Sequence, residues 1–262
     1  MHALDAGAPP RGPLAGLGIV VTRPARQAAG FARTLATLGA TPIVFPAIVI
    51  LPPDDRPALE RIHARLAQYD LAFFVSANAV EYGAPDPARW PARLVAFAPG
   101  PGTAQALAAV GIDDVRVPAA RFDSEGLLEL PELRDVAGRR AVLFRGEGGR
   151  DQLASTLRAR GATVDEVACY RRAPPSGAQG LAEALREGRV DAVTLTSSEG
   201  VDNLWRLLDE EGRTMLARVP SFAPHERIAA HAKTLGLRAV ATAGGDAGLV
   251  AGLLEWAAAT RR

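Results

Sequence analysis

The sequence predicts an α/β fold with two similar domains, each built on a parallel sheet. The first observation that predicts it is an internal duplication: residues 17–41 match residues 139–163 at eight of 25 positions. The second is the alternation of short apolar runs with helical patterns along the chain. Such alternation is typical of βαβ units, which place parallel strands side by side and helices on both faces.

Each copy of the repeat is roughly half of the chain. "YDLAFFVSANAV" (69–80) resembles "VDAVTLTSSEGV" (190–201), and "VAFAPGPGTAQALAAVGI" (95–112) resembles "PSFAPHERIAAHAKTLGL" (220–237). The three pairs keep the same order along the chain, which chance similarity would not produce. The sequence therefore predicts a tandem repeat of one α/β unit.

The strands and helices are predicted from local pattern. Helical spacing of apolar residues, as in Phe31, Leu35 and Leu38, follows the strand-like runs. Gly39 and Gly161 come where a glycine would end a helix. The predicted strands are "IVVT" (19–22), "LAFFV" (71–75), "LVAFA" (94–98), "AVLF" (141–144), "AVTLT" (192–196) and "RAVAT" (238–242).

Two long extended segments with the same beginning and end lie 122 residues apart, "GATPIVFPAIVILPP" (39–53) and "GATVDEVACYRRAPP" (161–175). Their central parts, 42–51 and 164–173, are about ten residues long, whereas a mean strand has about 5–6. They could lie side by side as a bridge between the domains. Two consecutive domains divided near residue 138 are the alternative.

Composition excludes several classes of function. The 262 residues suit two domains, and a net charge of +1 gives no indication of a nucleic-acid surface. The lone Cys169 excludes an internal disulfide and a cysteine-based zinc site. The opening "MHALDAGAPPRGP" has no secretory pattern, and no apolar run approaches the ~20 residues of a membrane span. We expect a soluble, cytoplasmic protein.

Candidate binding residues follow the predicted strands, because ligands of open α/β sheets bind beyond the carboxyl ends of the strands. These segments are rich in small, hydroxyl and basic residues, which suit carboxylates. The candidates are Thr22, Arg23, Ser76, Ala77, Asn78, Gly100, Gly102, Thr103, Arg145, Gly146, Gly149, Arg150, Thr196, Ser197, Ser198, His225 and Arg227.

Several of these residues also have a purely structural interpretation. "RGEGGR" (145–150) lacks the third glycine of a dinucleotide loop, because Asp151 stands there, and it lacks the P-loop ending. We interpret it as a turn that meets a carboxylate. Thr103 is a candidate helix N-cap, and the same ambiguity applies to the serines that follow two of the strands.

Other catalytic chemistries have little support in the sequence. His225 and His231 are six residues apart and have no carboxylate cluster, which argues against a metal site. Cys169 lies in an apolar run that is typical of a buried residue. Tyr170 could pack one face of its strand, or its phenol, with an ordinary pKa of ~10, could donate a proton into a cleft between the domains.

With these segments placed, the chain resembles the uroporphyrinogen-III synthase family from about residue 17 to 255. The resemblance rests on "VVTRP", "DLAFFVSANAV", "GPGTAQAL", "DSEGLL" (123–128), "FRGEGGRDQL" with "GATVDEVACYRR", and "DAVTLTSSEGV". It implies two Rossmann- or flavodoxin-like domains joined by a two-stranded β connector. One domain would combine 1–47 with 172–262, and the other would span 49–170.

The resemblance also implies a lyase of tetrapyrrole biosynthesis that needs no cofactor or metal. Hydroxymethylbilane, a linear polycarboxylate, would lose water and close to uroporphyrinogen III after inversion of ring D through a spiro intermediate. Tyr170 matches the tyrosine that helps the hydroxyl leave, and Thr103 matches a threonine of the ligand cleft. Ile228 departs from the pattern where a second threonine is expected, so His225 or Arg227 would replace it.

The partner implied is thus a small-molecule substrate, with no nucleic acid and no membrane, and we expect a monomer. The resemblance is also compatible with a transient contact with the preceding pathway enzyme. A bilobal small-molecule binding protein without catalysis is the alternative function. A nucleotide-dependent oxidoreductase is a more distant one.

Overall fold

The computed structural model describes residues 12–149 and 151–260. The chain divides into two compact units. Unit 1 comprises the described residues up to Val49 and those from Ala173 onward, and unit 2 comprises Ile50–Arg172. The strands are β1 (Gly18–Val21), β2 (Thr41–Val44), β3 (Val49–Leu51), β4 (Leu71–Phe74), β5 (Val95–Phe97), β6 (Val115–Arg116), β7 (Arg140–Gly146), β8 (Thr163–Ala173), β9 (Ala192–Thr194), β10 (Pro220–Ala223) and β11 (Arg238–Ala241).

Helices follow most of the strands, as the alternating pattern predicts. They are α1 (Ala25–Thr37), α2 (Arg56–His63), α3 (Ala77–Gly83), α4 (Pro101–Ala109), α5 (Ser124–Leu128), α6 (Gln152–Ala159), α7 (Gln179–Arg186), α8 (Ser198–Leu207), α9 (Glu210–Arg218), α10 (Glu226–Thr234) and α11 (Gly245–Thr260). Short 3-10 helices lie at Leu66–Gln68, Pro87–Arg89 and Pro131–Leu133. Gly39 and Gly161 have φ of 92° and 88°, which confirms them as the glycines that end α1 and α6.

Each unit contains one sheet. The strand order in unit 1 is β2-β1-β9-β10-β11, and its neighbouring strands are parallel. This is the flavodoxin-like order 2-1-3-4-5. The order in unit 2 is β3-β8-β7-β4-β5-β6, and the strands from β8 to β6 pair in parallel. The predicted α/β class with parallel sheets is confirmed.

The two repeats contribute strands to both units. By the sequence matches, β7 corresponds to β1, β4 corresponds to β9, and β5 corresponds to β10. Unit 1 therefore combines the opening strands of the first repeat with the closing strands of the second. Unit 2 combines the remaining halves, so each sheet depends on both repeats.

The same aspartate contact joins the two halves in each unit. In unit 1, Asp191 Oδ2 accepts a hydrogen bond from the amide of Gly18 at 2.7 Å, and the amide of Asp191 donates to the Gly18 carbonyl at 2.8 Å. In unit 2, Asp70 and Arg140 repeat both hydrogen bonds, at 2.9 and 2.8 Å. Because each aspartate immediately precedes a central strand, it fixes the register between that strand and its neighbour.

Both faces of the unit 2 sheet are buried. Phe74 stacks on Phe144 with ring centroids 4.5 Å apart, while Phe73 stacks on Phe97 at 4.8 Å in a separate core cluster. Neighbouring residues of a strand point to opposite faces, so the two stacks lie on opposite sides of the sheet. The near-continuous apolar runs of the sequence follow from this double burial.

The first predicted connector is not one continuous extended segment. β2 ends at Val44 and β3 begins at Val49, because Pro46 has no amide to donate to a strand ladder. The amide of Ala47 donates to the Thr22 carbonyl at 3.0 Å, which turns the chain between the two strands. The second segment is one strand of 11 residues, β8, and β3 lies next to it in the sheet. Within the described residues, no helix has both the length and the hydrophobicity to cross a bilayer.

We predict that Asp191→Ala lowers the free energy of unfolding by about 1–3 kcal/mol, because the buried amide of Gly18 loses its acceptor. Urea denaturation of the purified protein measures this change. Asp191→Asn keeps a carbonyl oxygen at the same place and should lose clearly less. Equal stability of the alanine variant and the wild type would show that the contact does not stabilise the sheet.

Candidate functional site

A cavity of about 380 Å³ lies in unit 2 at the carboxyl ends of β4 and β7. This is the point where the strand order of the sheet reverses, which is the usual ligand position in open α/β sheets. Its volume is near the lower end of the range of small-molecule sites, about 300–1,000 Å³. Five predicted residues line this unit 2 cavity: Ser76, Arg145, Gly146, Gly149 and Tyr170.

A β-bulge directs Tyr170 into the cavity. Along the β7–β8 ladder, Arg145 pairs with Ala168, but the next residue, Gly146, pairs with Tyr170, so Cys169 is the extra residue. In a regular strand Cys169 and Tyr170 would point to opposite faces. Here both pack in the same core cluster. The bulge thus turns the phenol toward the ends of the neighbouring strands, which is a common use of bulges near functional sites.

The phenol is held between a glycine and a serine. A Cβ atom on Gly146 would lie 2.6 Å from Cζ and 2.7 Å from Cε2 of Tyr170, so the ring rests directly against this part of the backbone. The phenol oxygen lies 3.3 Å from Ser76 Oγ, which also accepts a hydrogen bond from the Ala79 amide at 3.2 Å. Tyr170 is only 5% exposed. The arrangement fixes one O–H group that can donate a proton to a ligand in the cavity.

Arg145 holds the glycine-rich loop in place. Its guanidinium contacts the Glu166 carboxylate and donates to the Gly148 carbonyl at 2.7 Å. Burial alone would raise the pKa of Glu166, but hydrogen bonds and charge from Arg158 and Arg145 lower that pKa below its ordinary value. Glu166 therefore stays ionised at neutral pH and orients both arginines. Gly148 has φ of 68°, a conformation that favours glycine.

Gly149, at φ of 101°, has the same backbone requirement as Gly148. A Cβ atom on Gly149 would lie 3.2 Å from Nη2 of Arg145, so a larger residue would crowd the arginine. Arg150, the last candidate of this loop, lies outside the described residues.

Other candidates of unit 2 lie at the beginning of two helices. Ser76 is the N-cap of α3, and Ala77 and Asn78 are its first residues. Gly100 is the N-cap of α4. Of these four candidates, Ser76 lines the unit 2 cavity, whereas Ala77, Asn78 and Gly100 are not among its described lining residues.

Thr103 is not an N-cap, so the alternative that gave it this role is wrong. Pro101 is the first residue of α4 instead. Proline suits this position because the backbone N–H that would have no partner there is missing in proline. Gly102 and Thr103 therefore lie in the first turn of α4, and the Thr103 side chain is buried.

In unit 1, two candidates at the end of β1 are engaged within the fold. The Thr22 hydroxyl donates to the Thr194 carbonyl at 2.7 Å, so it links two strands. The Arg23 guanidinium lies 2.5 Å from the Asp246 carboxylate and covers the Phe31 ring at 4.6 Å. Arg23 and Arg145, which match in the two repeats, are thus both held by acidic residues of their own unit.

The remaining unit 1 candidates lie at the ends of β9 and β10. Thr196 follows β9, and Ser197 is the N-cap of α8, where it accepts a hydrogen bond from the Gly200 amide at 3.0 Å. Arg227 donates to Ser198 Oγ at 3.3 Å, and His225 is the N-cap of α10.

Ile228, at the position where the resemblance leads one to expect threonine, is a core residue at 2% exposure. It therefore presents no surface to a ligand. A larger cavity of about 950 Å³ in unit 1, beside β11 and α11, contains none of the predicted site residues among its described lining.

The described residues contain no group of three His, Cys, Asp or Glu side chains that could hold a metal ion. Burial raises the pKa of the Cys169 thiol to about 12, and its sulfur donates to the Arg145 carbonyl at 3.1 Å. The thiol is therefore protonated at neutral pH and has no role as a nucleophile. His231 Nε2 lies 2.8 Å from the Asp202 carboxylate, which links α10 to α8.

Comparison with known proteins decides the family. A family model described as "Uroporphyrinogen-III synthase HemD" matches residues 29–250. The chain belongs to the uroporphyrinogen-III synthase family. The uroporphyrinogen-III synthase of Salmonella typhimurium is 37% identical over 227 residues, covering 84% of this chain and 92% of that protein. The Escherichia coli (strain K12) uroporphyrinogen-III synthase is 36% identical over 227 residues, with the same coverage of 84% and 92%.

The fold agrees with that of a solved synthase. A crystal structure of a mutant uroporphyrinogen III synthase from the extremely thermophilic bacterium Thermus thermophilus superposes with a TM-score of 0.58 at 22% identity. The match covers 93% of this chain and 99% of that one. At this identity the likeness concerns the fold alone.

Sequence reasoning missed one prominent residue of the cavity. Phe122 lines the unit 2 cavity and directly precedes the "DSEGLL" motif of the synthase family. The sequence of this motif alone indicates no ligand contact within or beside it. An aromatic residue in the loop after β6 was the available signal, since loops at this edge of the sheet carry ligand contacts.

We predict that Gly146→Ala destabilises the protein by about 1–3 kcal/mol, since the new methyl group overlaps the Tyr170 ring. A crystal structure of the variant should show the phenol displaced from Ser76. Gly180→Ala in α7, where no atom lies within 4 Å of the added methyl group, is the matched control and should not lose stability. Wild-type stability of Gly146→Ala would contradict the tight contact.

Proposed function

We propose that this member of the synthase family cyclises hydroxymethylbilane to uroporphyrinogen III with loss of water. The lyase class and the role in tetrapyrrole (haem) biosynthesis follow from the family and from the names of its relatives. The observation that carries the proposal is the Tyr170 phenol, which is fixed in the unit 2 cavity beside Ser76. A phenol with a fixed O–H group suits general-acid catalysis.

The first step is loss of the terminal hydroxyl. Tyr170 donates its proton to that hydroxyl, the carbon–oxygen bond breaks, and its electron pair leaves with water. A cationic azafulvene remains on the substrate, and a phenolate remains on the enzyme. Ser76 supports the phenolate by donating its own hydrogen, because its oxygen already accepts the Ala79 amide.

The second stage forms the new carbon–carbon bond. The substituted carbon of ring D attacks the cation and gives the spiro intermediate. The original bond between that carbon and the bridging carbon next to ring C then breaks, which leaves a cation on ring C and inverts ring D. The unsubstituted carbon of ring D attacks this second cation. Closure of the macrocycle then releases one ring proton, which restores the Tyr170 phenol. The substrate has lost one molecule of water, and the enzyme has regained its starting state.

Positioning is the main contribution of the protein in this proposal. An azafulvene cation is reactive enough to cyclise unaided to the wrong isomer, so the enzyme must hold the chain in one geometry. Correct orientation can contribute ~7–11 kcal/mol. Substrate carboxylates would meet free backbone amides in the first turn of α4, a helix of unit 2.

Arg23 and Arg145 would act in this proposal chiefly by shaping the strand ends, because Asp246 and Glu166 already hold them. We also propose a monomeric, cytoplasmic enzyme. A lone, buried cysteine is consistent with a reducing compartment.

A non-catalytic binding protein is not favoured, since the relatives that match are named as synthases. The two functions differ in product. We predict that the purified protein, incubated with freshly prepared hydroxymethylbilane, yields mainly the type III isomer after oxidation and chromatographic separation. Type I porphyrin alone, as in a reaction without enzyme, would refute the proposed function.

We predict that Tyr170→Phe lowers turnover more than ten-fold, because the variant has no phenolic proton to donate to the hydroxyl. Steady-state assays with isomer separation measure the change. Tyr69→Phe is the matched control. The Tyr69 phenol donates a hydrogen bond to Asp165 at 2.5 Å. Tyr69 is not among the described residues that line the unit 2 cavity. Near-normal turnover of Tyr170→Phe would remove Tyr170 from the mechanism.

A further inference from the structure

Phe122 is an exposed aromatic residue at the unit 2 cavity. Its side chain is 56% exposed, and it is one of three large apolar side chains exposed among the described residues, with Val44 and Val240. Phe122 lines the same cavity as Tyr170 and Ser76. Single exposed apolar side chains are common on protein surfaces, but Phe122 is exposed in the cavity that contains the proton donor, where a ligand can contact its ring.

The loop that carries Phe122 is closely tied. The neighbours of Phe122 in sequence, Arg121 and Asp123, form an ion pair of 2.7 Å. Asp123 also accepts the Gly126 amide at 2.8 Å, and a Cβ atom on Gly126 would lie 1.8 Å from the Arg121 carbonyl oxygen. The turn therefore requires glycine at position 126, and the hydrogen bond between Asp123 and Gly126 orders the backbone that follows Phe122.

The base of the Phe122 side chain rests on a second glycine. A Cβ atom on Gly100 would lie 3.1 Å from Cβ and 3.4 Å from Cγ of Phe122. The side chain is therefore supported on one side by the backbone at the start of α4, while much of it remains accessible. An aromatic surface of this kind is preorganised, so little conformational entropy is lost when a flat ligand covers it.

We propose that Phe122 binds the reacting pyrrole ring of the substrate by stacking and stabilises the cation that forms when the hydroxyl leaves. This inference rests on the proposed function and names a further specificity-determining residue for it. Pyrrole is a flat aromatic ring, and aromatic pairs attract each other beyond the area that they bury. After water leaves, the ring is cationic, and the face of a phenyl ring attracts cations within about 6 Å of its centroid.

The contact between Phe122 and the pyrrole ring is weaker before the hydroxyl leaves than after it. The neutral substrate gains only stacking, whereas the cation gains the additional electrostatic attraction. Phe122 should therefore lower the barrier more than it improves binding, and its removal should reduce kcat more than it raises KM. A ring held by Phe122 would also keep the cation in position for ring D, so the share of type III isomer depends on it.

The test compares three variants with the wild type. Phe122→Ala should lower kcat about ten-fold and reduce the share of type III isomer. Phe122→Tyr keeps the aromatic face and should retain both values. Val240→Ala removes a similarly exposed side chain, 53% exposed, from unit 1 and should change neither. Thermal unfolding of each variant checks that the fold is retained.

A binding measurement separates this inference from the proposed function. A bilane without the terminal hydroxymethyl group cannot form the cation, so the difference in its affinity between the wild type and a Phe122 variant, measured by calorimetry, reports the contact with the neutral ring. Its affinity should fall a few-fold in Phe122→Ala and return in Phe122→Tyr. Absence of type III product from the wild type would refute the proposed function. Unchanged bilane affinity together with an unchanged isomer ratio in Phe122→Ala, or an equal loss in Phe122→Tyr, would overturn the role of Phe122.

Discussion

The contact between the Tyr170 ring and the Gly146 backbone is the constraint on which the site depends. β7 must end in a residue without a side chain, because any Cβ atom would occupy the position of the ring. β8 must carry an extra residue, Cys169, for the phenol to face that glycine. With both conditions met, the phenol oxygen reaches Ser76 and an otherwise buried tyrosine contributes its O–H group to the cavity.

The duplication explains why only one unit has this arrangement. Ser76 belongs to the first repeat and Tyr170 to the second, and they meet because each sheet combines strands from both repeats. In unit 1, the counterpart of Ser76 is Ser197. Ile48 stands at the position that matches Tyr170, and Pro24 stands at the position that matches Gly146. Unit 1 thus keeps the serine that begins a helix but has no phenol and no glycine to receive one.

The fold class and most strands could be predicted from the sequence because apolar runs and helix-ending glycines are local signals. The same signals predicted the edge of the sheet at which the candidate residues of the unit 2 cavity lie. The β8 bulge could not be predicted, since it depends on pairing between distant strands. The ion pairs of Arg23 with Asp246 and of Arg145 with Glu166 could not be predicted either, because each joins residues that are distant in the sequence. Both guanidinium groups are therefore less available to a ligand than the sequence indicated. Phe122 was missed because exposure is a property of the folded chain.

The proposed mechanism requires the reacting end of a linear tetrapyrrole to lie in the unit 2 cavity, beside the Tyr170 phenol. A crystal structure of the protein with a bilane that lacks the terminal hydroxymethyl group tests this placement. We expect a pyrrole ring in that cavity, with its terminal carbon next to the phenol oxygen of Tyr170. A bilane bound instead in the unit 1 cavity beside β11 and α11, with the unit 2 cavity empty, would contradict it.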